Sequence, residues 1–294
     1  MTILVGYVQG EGGLGGLQLG AMAAESLHTD LVVATVVPKP WTTPSMAKVD
    51  AEFASWTDEV AAKAEAEVAE YMTIYPPELS WRFIRLDHRT VASALIEHAR
   101  AIDADALAIS STGDGQLGQI VLGSTANILM HRSPVPVGIS PRGYRSPKDG
   151  RLTRVTAAVS GSGPESRSVI ARARGLCDRM DAPLRVVSFA VRGGAMYPPL
   201  VGLGTEDDVL SQWKAQSADS HRMLLDDGVI AAGTDCVVAA GRGYREAFDS
   251  IEWIDGEVLF LGSARDSVLA QVFLGSRASK LIRHSPVPVL VLPR

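Results

Sequence analysis

The chain has 294 residues, long for one α/β domain and comfortable for two of about 140 to 150 residues, each burying its own core. Its formal net charge of −5 leaves no broad basic surface to neutralise a phosphate backbone, which excludes nucleic acid as the expected partner. The two cysteines, Cys177 and Cys236, make no disulfide framework and stand in no metal-ligand spacing; both are expected to be core thiols in a reducing compartment.

Met1-Thr2-Ile3-Leu4-Val5 enters an apolar strand without the basic segment and cleavage site of a secretory leader, and no apolar stretch is long enough to span a bilayer. A cytoplasmic protein with no membrane contact is expected. Hydrophobic patterning then predicts a strand at 3–8, a helix over 13–27, a strand at 31–37, a long helix over 44–73 and a strand at 80–86. A helix over 90–102, a strand at 105–110, a helix over 123–132 and a strand at 135–140 follow. Continuous apolar strands between amphipathic helices argue for a parallel sheet covered on both faces.

The pattern then starts again. Leu122-Gly-Ser-Thr-Ala-Asn-Ile-Leu-Met-His-Arg-Ser-Pro-Val-Pro-Val137 returns as Leu274-Gly-Ser-Arg-Ala-Ser-Lys-Leu-Ile-Arg-His-Ser-Pro-Val-Pro-Val289, and Asp105–Ser110 returns as Glu257–Gly262. Upstream, Arg154–Gly161 restarts the chain as Ile3–Gly10 began it, after the linker-like Ser146–Gly150, and the second helix of this repeat is shorter, at about 205 to 227. Two domains, 1–145 and 152–294, are expected, each a doubly wound α/β domain with a five-stranded parallel sheet. Each last strand is entered through Ser-Pro-Val-Pro-Val, and proline marks a strand start or an edge. Pairing one edge with the other is the cheapest protection, so the repeats are expected to pack as an intrachain pseudo-dimer.

In such a sheet the ligand crevice lies beyond the carboxyl ends of the strands, where connections diverge to opposite faces. The loop after the fourth strand runs from Ser110 through Gly113 to Gly123-Ser124-Thr125 in the first repeat, and from Gly262 through Arg265 to Gly275-Ser276 in the second. Glycine admits a phosphate close to the backbone, and the first helical amides and a serine hydroxyl donate to it. The competing assignment is that Gly-Ser only caps a helix.

The pattern G-x2-G-x9-G-[ST], followed by a Pro-Val-Pro-Val strand, resembles the ATP-binding signature of the universal stress protein family, and the resemblance covers the chain twice. It implies tandem domains of the adenine nucleotide alpha hydrolase-like fold, ATP or a related adenine nucleotide as ligand with magnesium as its companion, and a regulatory, non-catalytic role in stress response. It further implies protein partners and a homodimer of tandem chains, and leaves weak ATP hydrolysis open. In the family the glycine loop and Gly-Ser hold ribose and phosphates, and an Asp after the first strand contacts the adenosine. Here Ser110 replaces the first Gly of one repeat and Arg265 the second Gly of the other, and Val8 and Ser160 stand where the Asp is expected. Arg265 either obstructs a phosphate or pairs with it. The first repeat is expected to be the more competent site. A degenerate interaction module that binds no nucleotide is the alternative.

Gly10, Gly12 and Gly15 also satisfy G-x-G-x-x-G, a dinucleotide fingerprint, with Lys39 suited to the 2′-phosphate of NADP. No acid follows the second strand, and a flexible turn is the favoured assignment. Asp87-His88-Arg89 reads as capping and solvated charge. His28, His98 and His221 lie on helical stretches without metal-ligand partners, and His131 and His284 sit near helix ends. The acids of the long helix, Glu67 included, read as a solvated face, and the five tryptophans as packing or cover over a crevice. No catalytic residue is expected.

Overall fold

The computed structural model describes residues 2–39, 47–75, 78–113, 115–191, 204–262 and 276–292. The chain divides into two units, Met1–Arg151 and Leu152–Leu292. In unit 1, β1 (Thr2–Gly6), α1 (Glu11–Leu27), β2 (Asp30–Pro38), α2 (Ala47–Met72), β3 (Trp81–His88), α3 (Val91–Ala101), β4 (Ala106–Ser110), α4 (Ser124–Arg132) and β5 (Val137–Ser140) alternate along the chain. The strands lie in the order β3-β2-β1-β4-β5, parallel throughout. α1 packs on β1, β4 and β5 and α2 on β2 and β3, while α3 packs against β2, β3 and α4. Right-handed crossovers account for this division of helices between the two faces. The central strands are apolar because both faces are covered: Leu4, Val5, Leu31, Val33 and Leu107 are wholly buried, each contributing about 1.5–3 kcal/mol.

Unit 2 repeats the plan with β6 (Arg154–Val159), α5 (Pro164–Met180), β7 (Leu184–Val191), α6 (Gly204–Asp226), β8 (Asp235–Gly241), α7 (Tyr244–Asp249), β9 (Glu257–Leu261), α8 (Ser276–His284) and β10 (Val289–Val291). Its order is β8-β7-β6-β9-β10, again parallel. Strand register corrects the match between the repeats. Ile3 lies beside Leu31 and Ala106, and Val155 beside Leu184 and Val258, so Ile3 is equivalent to Val155 and not to Arg154. Tyr7 is therefore the counterpart of Val159, and Val8 that of Ser160.

The element bounds differ from the sequence expectation where glycine and proline act. β1 stops at Gly6, and α1 starts at Glu11, taking Gly12, Gly13, Gly15 and Gly16 into the helix where a turn is expected. β5 begins only after both prolines. Pro136 contributes its carbonyl alone, accepting from Leu107 N–H at 2.8 Å, and Ser133 Oγ donates to the Val135 carbonyl at 2.7 Å. The same device enters β10, with Leu259 N–H to the Pro288 carbonyl at 2.9 Å and Ser285 Oγ to the Val287 carbonyl at 2.7 Å. Cys177 is buried and Cys236 partly so, as expected of core thiols, and burial pushes the Cys177 thiol up to about 11.

The units differ at the amino ends of their strands. In unit 2 a buried ion cluster joins β6, β7 and β9: Glu257, wholly buried, receives Arg185 Nη2 at 2.5 Å and Arg154 Nη2 at 2.6 Å on its two oxygens. Arg185, 2% exposed, also donates from Nε to Thr156 Oγ1 at 3.0 Å and from Nη1 to the Glu252 carbonyl at 2.7 Å. Its guanidinium lies 4.8 Å from the centre of the Trp253 ring, and the indole N–H donates to the Phe248 carbonyl. Trp253 thus packs at the amino ends of these strands, the first of the two roles read for the tryptophans. Burial lowers the affinity of Arg185 for its proton, and Glu257 offsets this. The equivalent place in unit 1 is quieter: Asp105 accepts from the Thr2 backbone N–H at 2.7 Å, and Leu4 and Val32 stand where Thr156 and Arg185 stand in unit 2.

Candidate functional site

β1 and β4 are neighbours in unit 1, yet α1 leaves β1 for one face of the sheet and α4 leaves β4 for the other, so the switch point lies beyond Gly6 and Ser110. The loop after β4 is tied into a closed excursion. Ser111 N–H donates to the Ser140 carbonyl at 3.0 Å, Val121 N–H to Ser111 Oγ at 2.8 Å and Thr112 N–H to the Val121 carbonyl at 3.1 Å. These bonds return the chain to Gly123, the cap of α4. That cap is extended and adds no side-chain bond, and the first turn of α4 carries no acid, so the helix's own residues do not compensate its positive end. Ser124 is exposed there and Thr125 half-buried.

The signature positions of this loop have three different physical roles. Gly113 is open, with no atom of the described residues within 4 Å of where a Cβ would stand. Gly123 is a packing glycine, since a Cβ there would meet Thr112 Cγ2 at 2.6 Å. Ser110 is engaged with α1: its Oγ accepts from Gly16 N–H at 2.8 Å and donates to the Gly13 carbonyl at 3.0 Å. Val8 stands 66% exposed just past β1. A carboxylate from α2 reaches the turn on either side of it. Glu67 Oε2 accepts from the Tyr7 hydroxyl at 2.8 Å and from Gly10 N–H at 3.0 Å. The Gly10 N–H holds the Glu67 carboxyl below the usual range, and burial, then Glu67, pushes the Tyr7 phenol above its own. Sequence reasoning placed Glu67 on a solvated face and missed this contact, which spans 60 residues and leaves no local signal.

The glycines after β1 serve the packing of α1. A Cβ on Gly15 would lie 2.7 Å from Ser140 Oγ, and one on Gly16 would lie 2.7 Å from Ser110 N. Gly10 takes φ 92° ahead of the helix, where Gly12 meets nothing. Asp87 and His88 end β3, two strands from the switch point, with Asp87 paired to Arg85 at 2.8 Å and His88 Nδ1 accepting from Thr90 N–H at 3.0 Å.

In unit 2, Ser160 is exposed past β6, and Gly262 is a packing glycine whose Cβ would fall 2.3 Å from Val169 Cγ2. Arg265 and Gly275 lie outside the described residues; Ser276 opens α8. Beneath the β6 end, Ser188 Oγ donates to the Val159 carbonyl at 3.1 Å and meets His221 Nε2 at 2.9 Å. Unit 1 has the equivalent bond from Thr35 Oγ1 to the Tyr7 carbonyl at 3.3 Å. His221 sits on α6, 4% exposed, and burial holds its imidazole below the ordinary 6.5. The unfolded chain therefore takes up this proton first. Stability from His221 is present above pH 6.5 and is lost as pH falls toward the lower folded-state value. In urea titrations from pH 8 to 5, His221→Gln is expected to show a shallower decline than the wild type; parallel declines would refute the assignment.

Among the described residues no cluster of three or more histidine, cysteine, aspartate or glutamate side chains forms a metal site, and no helix is long and apolar enough to cross a membrane.

Comparison with known proteins adds sequence evidence to this geometry. The family model described as "Universal stress protein family" matches residues 1–141 and 152–293. Universal stress protein Rv2319c of Mycobacterium tuberculosis is 41% identical over 293 residues, covering 100% of both chains, and universal stress protein Mb2346c of Mycobacterium bovis matches equally. The crystal structure of a universal stress protein from Archaeoglobus fulgidus superposes with a TM-score of 0.62 at 18% identity, covering 100% of this chain and 98% of that one. The protein PA1789 from Pseudomonas aeruginosa gives 0.61 at 15% identity, covering 99% and 92%. These structural likenesses concern the fold.

Proposed function

Because the chain belongs in both halves to the universal stress protein family, we propose that unit 1 binds ATP or a related adenine nucleotide in a regulatory, non-catalytic role in the cytoplasm. The observation that carries this is the amino end of α4, which has no acid in its first turn and no side-chain cap, at the switch point behind the bonded glycine loop. Phosphates would meet the amides and hydroxyls of Ser124 and Thr125, and Gly113 leaves room for close approach of the backbone. Magnesium would enter on the phosphates. The adenosine would lie toward Val8, which offers no carboxylate to a ribose, and weaker affinity than an acid there would give is expected. That same residue favours the second reading, an interaction module that has lost its ligand.

A thermal-shift titration with ATP, AMP and NADP, with and without magnesium, separates the two. ATP at 100 times its Kd is expected to stabilise the fold by about 2.7 kcal/mol. Gly113→Arg, whose added Cβ meets no atom of the described residues within 4 Å, is expected to fold and to lose this response. A flat ATP response in the wild type supports the second reading, and a rise with NADP alone would move the site to the glycines of α1.

A further inference from the structure

The chain leaving β5 does not run straight to unit 2. Pro141–Tyr144 makes a tight turn, with Tyr144 N–H donating to the Pro141 carbonyl at 3.2 Å and Gly143 at φ 74°. The turn lies on the loop after β4. Gly118 N–H donates to the Arg142 carbonyl at 2.9 Å, Arg142 N–H donates to the Gln119 carbonyl at 3.0 Å, and the Arg142 guanidinium donates to the Gly115 carbonyl. Leu117 packs on the same turn, where a Cβ on Gly143 would stand 2.8 Å from Leu117 Cδ2. Beyond it, Ser146 N–H donates to the Gln18 side-chain oxygen at 2.7 Å, the Tyr144 hydroxyl reaches Met22 sulfur and the Tyr75 hydroxyl meets Ser146 Oγ at 3.2 Å.

We propose that Arg142 is a positioning residue that makes the glycine loop and the segment joining the two units one hydrogen-bonded body, so that the state of the loop is passed to residues 141–151. The proposal rests on the nucleotide reading for its biological use, although the coupling itself needs no ligand. Three bonds converge on one residue, two from its backbone and one from its charged side chain to the carbonyl of a loop glycine. A ligand that draws the backbone around Gly113 toward itself must carry Gly115 and Gly118 with it, and Arg142 follows. The sequence placed its linker at Ser146–Gly150 and attached no role to Arg142.

The test uses the full chain in two stages. Hydrogen exchange without ligand comes first, on the wild type, Arg142→Ala and Gly118→Ala. Gly118 holds φ 78° with open space around it, so its substitution strains the loop and no neighbour. Loss of a charged hydrogen bond is expected to raise exchange of the 115–121 amides in Arg142→Ala about tenfold. Gly118→Ala is expected to raise it at 142–146, with β2 and β3 unchanged in both variants. Unchanged exchange in the linked segment, or a rise spread evenly over unit 1, overturns the coupling. ATP titration follows: a Kd raised about tenfold in Arg142→Ala and partly restored in Arg142→Lys is expected. Equal affinity in all three chains overturns the positioning role. A wild type that binds no ATP overturns the nucleotide reading, and the exchange result still decides the coupling.

Discussion

Glu257→Ala is expected to destabilise unit 2 by about 3–5 kcal/mol, because it leaves two guanidinium groups facing each other in a buried site. Arg154 and Arg185 reach the two carboxylate oxygens at 2.6 and 2.5 Å, and Glu257 is wholly buried. Water entering from the side of Arg154, whose side chain is 18% exposed, would bring no negative charge to replace the carboxylate. The carboxylate also accepts from Thr156 Oγ1 and from Ile254 N–H at 3.1 Å, so the substitution strands a hydroxyl and a backbone donor as well. The double change Glu257→Leu with Arg185→Leu is expected to cost less than the sum of the single changes, since removing both charges removes most of the uncompensated field. Urea unfolding followed by tryptophan fluorescence reads both, with Trp253 lying 4.8 Å from the Arg185 guanidinium. A loss under about 1 kcal/mol for Glu257→Ala would mean that the cluster is solvated and contributes no more than a surface pair.

The second large effect concerns α1. Alanine is the better helix former by about 0.5–1 kcal/mol, so propensity alone makes either Gly12→Ala or Gly16→Ala stabilising. Packing separates them. At Gly12 nothing lies within reach of a Cβ, whereas at Gly16 the new methyl would stand 2.7 Å from Ser110 N, 2.8 Å from Ile109 C and 2.9 Å from Ser110 Oγ. Two of these atoms are backbone of a central strand and cannot turn aside. Gly16→Ala is expected to cost about 1–3 kcal/mol as α1 lifts from β4, and it breaks the bond from Gly16 N–H to Ser110 Oγ. Gly12→Ala is expected to be neutral or stabilising. Melting temperatures moving in opposite directions would confirm that these glycines serve helix–sheet contact; equal shifts would reject it.

The layout of strands and helices was legible because the chain states it twice, and Ser-Pro-Val-Pro-Val marks the same strand entry in both halves. What escaped were contacts whose partners are far apart in sequence. Arg154 and Glu257 open their strands and Arg185 is the second residue of its own, where a charge ordinarily meets solvent, and their convergence depends on β6 lying between β7 and β9. Glu67 belongs by periodicity to an acidic helix face, and its partners, the Tyr7 hydroxyl and the Gly10 N–H, come from a turn about 60 residues away. Ser110 differs from glycine by one hydroxymethyl group, and sequence alone does not tell whether that hydroxyl faces a ligand or α1. The glycine run after β1 fits a phosphate fingerprint in spacing, and it took the φ angles and the start of α1 at Glu11 to move it into the helix.

Thr35 and Ser188 occupy one register position in the two halves and bond to equivalent carbonyls, of Tyr7 and of Val159. The letters differ, and so do the residues whose carbonyls are met. What duplication handed down at this position is a hydroxyl aimed at the carboxyl end of the neighbouring strand, and either small alcohol fulfils it. A code that scores identity between the halves undercounts their kinship here, whereas one that compares donors with acceptors finds it intact.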